Sequence, residues 1–123
     1  MELKSIESEF EDNNSMTIAG DFIWTKNVTG HNQDNSGPVD GGIYDQTIAA
    51  LDNIDTLLKS VGSSLENAIK LSVYVRFRQD YDLVNKALKD KISSYKCVYN
   101  FIFTSAMVDP RFSVEIDAVA LKQ

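Results

Sequence analysis

Glu115 and Asp117 stand two residues apart in Val114-Glu115-Ile116-Asp117-Ala118-Val119-Ala120, so on an extended chain both carboxylates project from one face. Carboxyl groups flanked by apolar residues can be tuned for proton transfer, which makes the pair a candidate acid or base. Spacing by itself favours a plainer arrangement, ion pairs across a sheet with Lys70 or Arg76. His31 is the only histidine and has no cysteine or second histidine at ligand spacing, so it is read as a loop residue rather than a metal ligand. Cys97 is the only cysteine, and His31 is the sole histidine available to activate it. A small buried thiol is expected there rather than a nucleophile. Gly41-Gly42 precede an apolar-periodic segment without the rest of a phosphate-binding fingerprint, so a plain loop-to-helix hinge is expected.

These residues are spread over segments with clear periodicity. Ser15–Ala19 and Phe22–Thr25 flank Gly20-Asp21 and predict a β-hairpin. Val28 to Gly42 is rich in Gly, Asn, Asp and Pro and predicts a long loop able to shape a site. Ile43, Thr47, Ala50, Ile54, Leu57 and Val61 recur at helical spacing and stop at Gly62. Ile69, Leu71, Val73, Val75 and Phe77 alternate with polar residues, the strongest strand pattern in the chain. Asp80 precedes a second helix with apolar positions Leu83, Val84, Ala87, Leu88 and Ile92. Cys97-Val98-Tyr99-Asn100-Phe101-Ile102-Phe103-Thr104 predicts a strand, a turn follows through Asp109-Pro110-Arg111, and a last strand carries Glu115.

The order β-β-α-β-α-β-β predicts an α+β fold with two helices on one face of a mixed, mostly antiparallel sheet. The other face then carries Lys70, Tyr74, Arg76, Glu115 and Asp117. It is expected to be solvated, with a polar subunit interface as the other reading.

Residues 1–123 are expected to form a single domain, since this length does not support two ordinary cores. Hydrophobic residues at 43% and charged residues at 24% match a soluble globular protein. The acidic start without an apolar signal core, together with one cysteine, predicts a cytoplasmic location. A net charge of −6 argues against a surface that tracks nucleic-acid phosphates.

Five segments occur in register: Ile48–Ile54, Val61–Asn67, Lys70–Val75, Tyr81–Asn85 and Val114–Ala120. Together they resemble the Rid/YjgF family, the reactive-intermediate deaminases also labelled endoribonuclease L-PSP. The resemblance runs from about Ser15 to Leu121 and implies a chorismate-mutase-like subunit of a homotrimer. It also implies pockets for small carboxylates such as 2-oxo acids at the subunit interfaces. Active members hydrolyse enamines or imines to 2-oxo acids and ammonia without metal or organic cofactor; a non-catalytic trimeric binder or regulator is the alternative, and a ribonuclease fits the acidic chain less well.

Carried onto this chain, the resemblance makes Glu115 the water-positioning glutamate and Asn85 the pocket-edge asparagine. Lys26-Asn27 replaces a Ser-Gly pair, and Cys97 and Phe101 fall among the ligand-binding positions. The family tyrosine before the hairpin falls near Asn13. The substrate-binding arginine falls on Asn100 when counted back from Val114 without a gap, on Phe101 with a turn one residue shorter, and on Tyr95 by the Cys-Val pair. None of the three is arginine. Lys26 is the candidate for the missing positive charge.

Overall fold

The computed structural model describes residues 2–7, 14–92 and 96–122. Seven strands and two helices follow in the order β1 (Leu3–Glu7), β2 (Asn14–Ala19), β3 (Phe22–Thr25), β4 (Val28–Thr29), α1 (Ile43–Lys59), β5 (Ala68–Val75), α2 (Tyr81–Lys91), β6 (Val98–Phe103) and β7 (Val114–Leu121). All strands join one sheet in the order β1-β2-β3-β7-β5-β6, with β4 also pairing β7. Only β5 and β6 run parallel, which the α2 crossover between them makes possible. This is the mixed, mostly antiparallel α+β arrangement expected.

Alternation decides which residues hold the layers together. Leu71, Val73, Val75, Val114, Ile116 and Ala118 are buried and meet Ala50, Leu51, Ile54 and Leu58 of α1 and Val84 and Leu88 of α2 in one core. At roughly 1.5–3 kcal/mol for each fully buried large apolar side chain, this layer supplies the main favourable term for the fold. Ser60 follows α1 as its cap and Gly62 stands at φ +82°, a left-handed turn that glycine takes without steric cost. Ser63 Oγ then donates to the Leu121 carbonyl at 2.7 Å, fastening the end of α1 to the last strand.

Two strands depart from the expected order. β1 pairs with β2 at the sheet edge, and β4 is a two-residue strand inside the segment expected to be all loop. A bulge explains β4. Phe22, Ile23 and Trp24 pair Leu121, Ala120 and Val119, while Val28 and Thr29 pair Ile116 and Glu115. Between Trp24 and Val28 lie three residues, Thr25 to Asn27, opposite only Asp117 and Ala118, so β3 and β4 are one strand with an extra residue. Thr25 Oγ1 fills the interruption by accepting the Ala118 N–H at 3.0 Å.

The helix-free face is organised in rows of cross-strand partners. Leu3, Ala19, Phe22 and Leu121 form one row, and Trp24, Val119, Lys70 and Val98 the next. Asp117, Ser72 and Asn100 follow, then Thr29, Glu115, Tyr74 and Ile102. Leu3, Phe22, Trp24, Val98, Ile102 and Leu121 are all exposed there. Beside the polar residues expected on this face, these large apolar side chains form a component that the alternation of β5 and β7 alone does not announce. Among the described residues, no helix is long and apolar enough to cross a membrane.

Candidate functional site around Glu115

Glu115 is the one charged side chain in the buried set of the described residues, 7% exposed, between Thr29 on β4 and Tyr74 on β5. Its partner lies in the bulge, where Asn27 Nδ2 donates to Glu115 Oε2 at 3.2 Å. Lys26 and Asn27 therefore reach the site by register, although the sequence brings them forward only as replacements of a family pair.

The expected ion pairs of Glu115 and Asp117 with Lys70 or Arg76 do not match the register. Lys70 stands opposite Val119, and the Arg76 guanidinium donates to the Pro110 carbonyl at 3.0 Å. Asp117 instead accepts a hydrogen bond from the Tyr74 hydroxyl at 3.1 Å. Burial, then the Asp117 and Glu115 carboxylates, push the Tyr74 hydroxyl above its ordinary value, so it remains a proton donor.

Lys26 and Asn27 also form one wall of a groove of about 390 Å³. The opposite wall is α1, through Asn53, Thr56 and Leu57, and Val28 and Ile6 supply apolar surface. Asn53 holds the loop wall in place by donating to the Thr29 carbonyl at 2.9 Å and the His31 carbonyl at 3.1 Å. His31 lines the groove with Nδ1 3.1 Å from Thr29 Oγ1, and its backbone bridges to Pro38. Glu115 reaches this groove through Asn27.

The remaining expected site residues separate. Asn100 is exposed on β6, on the same helix-free face as Glu115 but two strands away and one row along. At about 4.8 Å between strands that is roughly 10 Å or more, too far for one small ligand to bridge through a single subunit without other groups. Phe101 projects to the opposite face, packed edge-on against Tyr81 with ring centroids 4.8 Å apart. Asn85 lies half-buried on α2. Cys97 is half-buried just before β6, packed against the core, and burial pushes its thiol up. A thiol so shifted is less available as thiolate at neutral pH, which matches the buried-thiol reading. Tyr95 and Asn13 lie outside the described residues. Tyr74 and Thr29, the neighbours of Glu115 on both sides, were not singled out as site residues; only the strand register identifies them.

The family described as Endoribonuclease L-PSP matches residues 8–122. The chain is 28% identical over 105 residues to RutC family protein PH0854 of Pyrococcus horikoshii, covering 85% of this chain and 82% of that protein. It is 27% identical over 114 residues to RutC family protein UK114 of Drosophila melanogaster, covering 88% and 78%. Its fold is similar to that of yeast Mmf1, with a TM-score of 0.89 at 16% identity over 99% of this chain and 100% of that one. It is also similar to NMB1025, a YjgF-family protein of Neisseria meningitidis, with a TM-score of 0.82 at 18% identity over 100% and 97%. This chain belongs to the endoribonuclease L-PSP family, the Rid/YjgF family that its five sequence segments resemble.

Proposed function

We propose that this protein is a cytoplasmic, homotrimeric Rid-type hydrolase that binds small 2-oxo and 2-imino carboxylates and converts enamines or imines to 2-oxo acids and ammonia without metal or organic cofactor. The observation that carries the reading is the Asn27–Glu115 hydrogen bond at the bulge, beside a groove able to admit a small acid. An enamine tautomerises to its imine, water adds across the C=N bond, and the carbinolamine expels ammonia. Glu115, held by Asn27, orients the water and accepts its proton. Lys26, in the groove wall next to Asn27, provides positive charge for the substrate carboxylate. The exposed apolar rows of the helix-free face support burial against further copies of the chain, with Asn100 of one copy then facing the seam.

A second reading, a trimeric binder or regulator without turnover, is supported by Asn100. A neutral amide stands where the resemblance places a bidentate guanidinium, and a charged hydrogen-bond pair of that kind is worth roughly 1.5–3 kcal/mol. Steady-state conversion of 2-aminoacrylate separates the two. Turnover by the parent chain that disappears in Glu115→Gln supports the hydrolase; an inert parent whose Asn100→Arg variant gains turnover supports the binder.

A further inference from the structure

Tyr74 has no role in the mechanism above, yet two relationships single it out. It is the direct cross-strand partner of Glu115 in the β5–β7 register, and its hydroxyl reaches past that partner to Asp117 Oδ2 at 3.1 Å. Direct partners have Cβ atoms about 4.5–5.5 Å apart, so the ring lies alongside Glu115 while its tip is fixed in the next row. Glu115 and Asp117 project from the same face with Cα atoms roughly 7 Å apart along the strand. A free aspartate rotamer there would bring the second carboxylate toward the first.

We propose that Tyr74 is a positioning residue for Glu115: by tying the Asp117 carboxylate into its own row, it keeps a second negative charge off the group that orients water. The inference rests on the role given to Glu115 above. Like charges a few ångströms apart disfavour joint ionisation, so a change in the position of Asp117 is felt in the protonation of Glu115. Asn27 and Thr29 are neutral, Lys26 lies in the adjoining bulge, His31 is bonded to Thr29, and the Arg76 guanidinium is committed to the Pro110 carbonyl. Tyr74 thus hydrogen-bonds Asp117 and borders Glu115 at once. The hydroxyl remains protonated through the range in which carboxylates titrate, so it can donate throughout that range.

The experiment is a double-mutant cycle read by carboxyl ¹³C titration of Glu115 in the parent chain, Tyr74→Phe, Asp117→Asn and the double variant. Tyr74→Phe is expected to raise the Glu115 midpoint by at least about half a pH unit, and to leave it unmoved when Asp117 is already asparagine. A Glu115 midpoint unchanged in Tyr74→Phe overturns the proposal, because the ring would then serve packing alone. An equal rise in both backgrounds overturns it as well, because Tyr74 would then act on Glu115 directly. The titration needs no turnover, so an inert protein that shows the coupling retains this inference while the hydrolase reading fails.

Discussion

Asn27 and Glu115, 88 positions apart in sequence, meet through a 3.2 Å hydrogen bond from Nδ2 to Oε2 at the point where a single extra residue interrupts the strand. The bond joins the two halves of the site. On one side lie the groove and the loop that follows β4; on the other lie the acidic row of β7 and the Tyr74 hydroxyl. A carboxylate that is 7% exposed requires donors, since desolvation without hydrogen bonds disfavours its charged form. Asn27, two residues before Thr29 and on the same face of the strand, supplies one.

Removing that donor has a measurable cost. Asn27→Ala leaves Glu115 with one hydrogen bond fewer and is expected to lower stability by about 1–3 kcal/mol in urea unfolding at neutral pH. Asn27→Asp brings a second carboxylate onto Glu115 and is expected to cost more than the alanine at pH 7. The difference should shrink toward pH 4, as one of the two carboxyls takes up a proton. An alanine variant within about 0.5 kcal/mol of the parent would show that the bond contributes nothing to folding.

What the chain discloses before its structure is known follows the range of the forces involved. β5, α1 and the core of β7 are local patterns, with alternating or helical apolar positions that end up buried, and their order is enough to predict two helices on one sheet. β1 escapes notice because Leu3 and Ile6 are its only large apolar residues, and as an edge strand it leaves Leu3 73% exposed. β4 escapes because Val28 and Thr29 sit among turn formers and become a strand only through pairing with β7. The bulge, the Asn27–Glu115 bond and the Tyr74–Asp117 bond depend on register between distant segments, which no local pattern encodes. The same rule divides Asn100 from Phe101. They are adjacent in sequence, so one alignment gap moves the candidate position to the other face of the sheet, and only Asn100 shares a face with Glu115.

Gly30 fixes the distance between the loop and α1. A Cβ built there would meet the Gln46 backbone carbonyl, so the loop can lie on the helix only if position 30 has no side chain. Asn53 clamps the carbonyls on both sides of it, at Thr29 and His31. Gly30→Ala is expected to cost about 1–3 kcal/mol of stability and to displace the groove wall. Chemical denaturation together with Asn53 side-chain amide shifts would report both effects; an unchanged midpoint would mean that the helix and loop part without penalty.

Cys97 should behave as a packed thiol. Burial raises its pKa, so at any pH below that value the thiolate fraction is smaller than for an ordinary cysteine near 8.5. Alkylation by iodoacetamide at pH 7.5 is expected to run several-fold slower than for a model thiol and to reach its plateau only at higher pH. A rate at pH 7.5 equal to or above that of glutathione would contradict this and reopen a nucleophilic role.

The groove beside Asn27 is larger than a three-carbon acid requires. Its volume of about 390 Å³ corresponds to roughly a dozen waters at about 30 Å³ each, whereas 2-aminoacrylate has six heavy atoms. With Lys26 at the Asn27 end and Val28, Leu57 and Ile6 supplying apolar surface, a longer aliphatic 2-oxo acid gains burial that pyruvate lacks. At about 0.8 kcal/mol per buried methylene, even partial insertion of three further carbons predicts about tenfold tighter binding of 4-methyl-2-oxopentanoate than of pyruvate by calorimetry. Leu57→Trp fills the α1 side of the groove and is expected to abolish that preference while leaving pyruvate affinity within about twofold. Lys26→Ala is expected to weaken both acids alike, since the carboxylate is common to them. Equal affinities for the two acids in the parent chain would show that the groove takes no part in binding, and an unchanged affinity in Lys26→Ala would remove the lysine from the site.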